Sequence, residues 1–138
     1  MKKLFLFLAV VSLLCACQPK LTEKVCDSYP NGQPQSVQML DKSGECVKEI
    51  KYFESGQVMM EGAMKDGQRE GEWTAYYPDG RTQSVCDFKA GKLDGVNKVY
   101  WENGNLRWEG FFKNNVHCGK WKYYDEQGIF QQEVDYGE

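Results

Sequence analysis

The chain has one histidine in 138 residues and only four prolines. A single histidine removes every catalytic arrangement that needs two. There is no Cys-x-x-Cys, no His-Glu-x-x-His, no phosphate-cradling Gly-Lys motif and no EF-hand loop. His117 has Cys118 beside it, but adjacent residues of a strand point to opposite faces, which disfavours a Cys–His catalytic pair. Charge of one sign is also scarce. The formal net charge is −3, or −5 without Lys2 and Lys3, which argues against nucleic acid as the partner. The expectation is a protein that is not an enzyme, needs no cofactor and holds no metal.

Long apolar runs are scarce as well. The longest, Leu4 to Leu14, is interrupted only by Ser12 and is too short to span a bilayer as an anchor. Behind Lys2 and Lys3 it has the layout of an export signal. The run closes in Leu14-Cys15-Ala16-Cys17, which resembles the lipobox of bacterial lipoproteins. That resemblance implies removal of residues 1–16 and acylation of Cys17. Several acyl chains, at roughly 0.8 kcal/mol per buried methylene, would hold the protein on a membrane. The alternative is an ordinary signal peptide cut near Ala16, leaving a free Cys17. Gln18 stands where Gram-negative lipoproteins retained in the inner membrane carry Asp. The implied location is the bacterial cell envelope, lipid-anchored, with the outer membrane favoured over the inner. Residues 17–28 read as a lipidated tether.

Glycine and aromatics are abundant, with 14 Gly and 14% Phe, Trp and Tyr, and they are phased. Gly32, Gly56, Gly80, Gly104 and Gly128 stand 24 residues apart, as do Tyr52, Tyr76, Tyr100 and Tyr124. Gly71, Gly95 and Gly119 form a third series, and Gly67, Gly91 and Asn115 a fourth. A period of this length marks a repeat architecture. Pro-Asp-Gly and Glu-Asn-Gly are turn tripeptides, and Asn115 is the non-Gly residue that best tolerates a left-handed backbone. The runs between turns have strand length. The expected fold is all-β: an antiparallel meander of 24-residue β-hairpins, roughly eight to ten strands in one elongated, twisted sheet, preceded by a cleaved signal helix.

The stretch Gly104-Asn105-Leu106-Arg107-Trp108-Glu109-Gly110-Phe111-Phe112-Lys113-Asn114-Asn115, followed by Gly119-Lys120-Trp121-Lys122-Tyr123-Tyr124, resembles the MORN-repeat variant. Such units occur in proteins termed YwqK-like antitoxins. The resemblance is good over 52–128 and weaker over 29–51, which reads as a degenerate N-terminal repeat or cap, with repeats over 52–138. Glu49 and Asn97 stand where the repeat expects Trp. What the resemblance implies is a binding or scaffold module. An antitoxin or immunity protein is the second reading, with a toxin as partner, and a phospholipid-contacting repeat is the third.

Alternation of side chains separates two faces. Four-residue turns at 65–68, 77–80, 89–92, 101–104, 113–116 and 125–128 predict that Gly62, Gly71, Cys86, Gly95, Gly110 and Gly119 lie in one row, as a furrow. The glycines and rings read first as packing and curvature, with rings of adjacent rows lying over the furrow. The second reading is a groove that also takes a ligand, with Met60, Phe88, Leu106, Phe112 and the tryptophans Trp73, Trp108 and Trp121 as the candidate binding face. The structural glycines are then Gly56, Gly62, Gly71, Gly80, Gly95, Gly104, Gly110, Gly119 and Gly128. The opposite face is charged. A single sheet with one apolar face must curl, be covered by residues 18–50, pair with another copy or bind a partner. His117 is expected to pack on the apolar face between Phe112 and Tyr136. Of the cysteines, Cys26 and Cys46 form the most plausible disulfide, because Cys86 and Cys118 fall on distant strands.

Overall fold

The structure is a computed structural model that describes residues 20–137; the leader 1–16 and the acylation candidate Cys17 lie outside the described residues. The described chain is a ten-stranded antiparallel meander in which each strand pairs with its neighbours in sequence. The strands are β1 (Thr22–Ser28), β2 (Pro34–Leu40), β3 (Cys46–Tyr52), β4 (Val58–Lys65), β5 (Gln68–Tyr76), β6 (Thr82–Lys89), β7 (Lys92–Tyr100), β8 (Leu106–Lys113), β9 (Val116–Tyr124) and β10 (Phe130–Asp135). The expected fold class holds. One boundary moves: Thr22–Ser28, expected as tether, forms the edge strand β1 paired to β2.

The first three turns are of one longer type, and from β4 onward tight and longer turns alternate. The tight hairpins use two-residue loops, Asp66-Gly67, Ala90-Gly91 and Asn114-Asn115, all with positive φ. Positive φ at both loop residues matches the right-handed strand twist. The longer turns, such as Tyr77 to Arg81, close with Gly80 N donating to Tyr77 O at 2.8 Å and Tyr77 N to Arg81 O at 2.8 Å. Gly56, Gly80, Gly104 and Gly128 supply the positive φ there. Neighbouring long turns are stitched together: Tyr29 Oη donates to Tyr52 O, Tyr77 Oη to Tyr100 O and Trp101 Nε1 to Tyr124 O.

The register corrects the expected glycine row. Gly62 faces Trp73, not Gly71, and Cys86 faces Asn97, not Gly95. Near the turn Met64 pairs Arg69, but beyond a bulge Gly62 pairs Trp73, so the second strand carries two extra residues. Gly71 and Gly119, with φ of 68° and 63°, sit in these bulges, where a left-handed backbone favours glycine. Carbonyls near the bulges are bonded by the next hairpin's turn: Gly91 N donates to Arg69 O and Asn115 N to Leu93 O, both at 2.9 Å. A shift of two residues preserves which face each side chain occupies, so the separation into an aromatic and a charged face survives the slip.

The observed row is therefore Gly62, Trp73, Cys86, Asn97 and Gly110 on β4 to β8, with Trp121 next on β9. Gly62 and Gly110 are sites of close approach. A Cβ on Gly62 would fall on the Trp73 ring and one on Gly110 on the Trp121 ring. The three N-terminal strands reverse the polarity. There Val25, Val37 and Ile50 form the apolar row, continuous with Glu61 of the charged face, and Val37 is buried.

Candidate binding surface

The tryptophan face covers itself. Trp73 lies across Gly62, donates its indole N–H to Ala63 O at 2.9 Å, and is capped by the Arg69 guanidinium 4.2 Å from the ring centre. Such a cation over an indole adds about 0.5–2 kcal/mol. Trp121 repeats the arrangement over Gly110. Its N–H reaches Phe111 O and Cys118 O, both at 3.2 Å, and Trp108 stacks on it with ring centres 4.9 Å apart. His117 lies between Phe112 and Tyr136, at 4.7 and 5.0 Å between ring centres.

Trp73 and Trp121 are 3% and 2% exposed, and Phe112 is also buried. Met60, Phe88, Leu106 and Trp108 are half-buried. The candidate binding face thus loses its centre: Trp73, Trp121 and Phe112 form the core of the sheet. Trp73 and Trp121 each lie flat on a glycine, as the packing reading of the furrow expects. Burying one such ring stabilises the fold by roughly 3–5 kcal/mol, judged by Trp→Ala substitutions.

The disulfide expectation is corrected too. Cys26, Cys46, Cys86 and Cys118 are all free thiols. Cys26 and Cys46 sit on β1 and β3 with β2 between them. Two strand spacings come to about 9.6 Å, beyond the roughly 7 Å that a bridge spans between Cα atoms. The Cys26 and Cys46 thiols donate instead to Lys24 O and Lys48 O. Burial pushes the Cys46 and Cys86 thiols above their ordinary pKa, so neither is an activated nucleophile.

Accessible apolar surface lies on the other face. Val96 and Phe111 are cross-strand partners, 46% and 42% exposed, and Phe111 in turn pairs with Cys118. These positions are charged in most other repeats. One period away from Val96 stand Glu72 and Lys120, from Phe111 Asp87 and Asp135, and from Cys118 Asp94. Lys48 and Lys120, equivalent to Val96, ion-pair with Glu61 and Glu133 at 2.6 and 3.0 Å. With valine in that place, Glu109 has, among the described residues, only Lys98 at 3.9 Å as an ion-pair partner. A groove of about 500 Å³ opens here, lined by Val96 and Phe111 and rimmed by Glu109, Lys120, Lys122 and Glu133. Since other repeats fold with charge at these positions, the fold does not require the apolar row. The lapse of charge at Val96, Phe111 and Cys118 is readable in the sequence once the repeats are aligned, but a reading centred on the tryptophans passes over it.

This geometry defines an open, single-layered antiparallel repeat sheet, each repeat a strand, a long turn, a strand and a tight turn. Two adjacent segments, residues 69–90 and 93–114, match the family model of the MORN repeat variant. Each matched segment spans one such repeat, β5 to β6 and β7 to β8. No curated protein matches the chain.

Proposed function

We propose that this chain is a non-enzymatic scaffold module that binds another macromolecule through the Val96–Phe111 groove, held at a bacterial envelope membrane by lipid on Cys17. The observation that carries the binding role is the exposed row of Val96, Phe111 and Cys118 at positions where neighbouring repeats carry charge. Exposed apolar side chains in a concave site, rimmed by charges of both signs, have the composition of a small protein-binding surface. The lipobox-like Leu14-Cys15-Ala16-Cys17 supports the tether.

The test is crosslinking in intact membranes followed by capture of the chain. A specific partner recovered with the native chain and lost with Phe111→Asp supports the binding role. Asp stands at the equivalent positions 87 and 135, so this substitution suits the fold. Equal recovery by both forms would sink it. Release of Cys17→Ser into the soluble fraction supports the tether.

A further inference from the structure

We propose that the Val96–Phe111 groove is an interface between two copies of this chain, packed face to face about a two-fold axis parallel to the strands and lying between β8 and β9. The proposal rests on reading that groove as a binding surface, and it names the occupant. Beside the apolar row, the next row is Lys98, Glu109, Lys122 and Glu133, on four consecutive strands. The signs alternate and the number is even. Turned end for end, such a row meets opposite charge at every position: Lys98 meets the partner's Glu133, and Glu109 meets the partner's Lys122. A row of three would set like against like. A two-fold interface must be self-complementary in this sense.

The pattern is local to the groove. The same row over β4 to β6 is Glu61, Thr74 and Val85, with no alternation. The axis that matches the charges also brings Phe111 against the partner's Cys118, covering the most exposed ring of the apolar row. Four strands span only about 15 Å, and an interface below the usual size gives a weak, concentration-dependent dimer.

The experiment is sedimentation equilibrium of the full chain in density-matched nonionic detergent, from about 10 µM to about 1 mM. The native chain should pass from monomer to dimer. Phe111→Asp should raise the dissociation constant at least about tenfold, with its melting temperature unchanged. Glu109→Lys and Lys122→Glu should each dimerise poorly alone, whereas their mixture should form a heterodimer, because each then supplies the charge the other lacks. The mixing result does not depend on how either substitution affects folding. A native chain that stays monomeric, a Phe111→Asp form that dimerises equally well, or a mixture no better than its components would overturn the proposal. If the native chain is monomeric while Phe111→Asp still loses a crosslinked membrane partner, self-pairing fails and the binding role stands.

Discussion

The hairpin β6–β7 differs from the hairpins on either side of it at the one place where they agree. In β4–β5 and β8–β9 a glycine on the first strand lies under a tryptophan on the second. In β6–β7 the pair is Cys86 and Asn97. Asn97 is 0% exposed, its Nδ2 donates to Gly95 O at 3.1 Å, and its Oδ1 has no partner among the described residues. The two substitutions compensate in volume: a smaller residue replaces the ring and a larger one replaces the glycine. Cysteine and asparagine are close in size and together fill less space than glycine plus tryptophan, so the compensation is partial and the fold accepts a looser pair here. It does not demand tryptophan in every repeat. The cost of the exception is an unbonded buried carbonyl, typically about 1–3 kcal/mol.

The largest expected effect sets the two kinds of hairpin directly against each other. Gly110→Ala drives a methyl into the Trp121 ring, which is pinned by its indole N–H, shared between two carbonyls, and by Trp108. The loss should reach about 3 kcal/mol, in the range of severe core overpacking. At the equivalent place Cys86→Ala removes only a sulfur and should cost about 1 kcal/mol or less. Urea denaturation of both variants decides it. Equal losses would mean that the Gly–Trp stack is not what holds the outer hairpins.

A smaller effect sharpens the same contrast. Asn97→Trp alone should be poorly tolerated, because the new ring meets the Cys86 side chain. Cys86→Gly alone should leave a void. Made together, they rebuild the pair found in the neighbouring hairpins and remove the unbonded carbonyl. The coupling in the double-mutant cycle should be favourable by about 1–3 kcal/mol. Additive effects would show that the two positions are filled independently.

The period of 24 carried most of the architecture, because turn chemistry is local: Gly80, Gly104 and Asn115 announce their positive φ through residue type alone. The bulges were not legible in the same way. Gly71 and Gly119 look like Gly62 and Gly110 in sequence, yet the first two bend the backbone and the last two lie under rings. Only the pairing tells them apart: Gly91 N bonds back to Arg69 O beside the Gly71 bulge, and Gly119 bonds to Tyr136 and Gly137, just past β10. That same slip of two residues seats Trp73 and Trp121 on Gly62 and Gly110, while Val96 and Phe111 stay accessible on the other face.

The comparison extends, with the smallest effect, to the ion pairs of the charged face. Lys48–Glu61 and Lys120–Glu133 are the same pair three repeats apart, and the middle repeats lack it. Glu61 also accepts the Tyr76 hydroxyl at 3.2 Å. The Lys48 ammonium holds the Glu61 carboxyl below its ordinary value of 4.5, against the opposing pull of burial. A carboxyl depressed by folding contributes stability above its unfolded pKa and loses it as pH falls through the folded value. Glu61→Gln should therefore cost about 0.5–1 kcal/mol at neutral pH, as expected for a half-exposed pair. The gap from the native chain should close as pH falls from the ordinary carboxylate range through the lowered folded value, and narrow in high salt. Glu109→Gln, whose lysine partner lies at 3.9 Å, should cost less than Glu61→Gln at neutral pH. If Glu61→Gln keeps its full deficit at pH 3, the pair joining β3 to β4 acts through packing, and the outer and middle repeats do not differ in electrostatics.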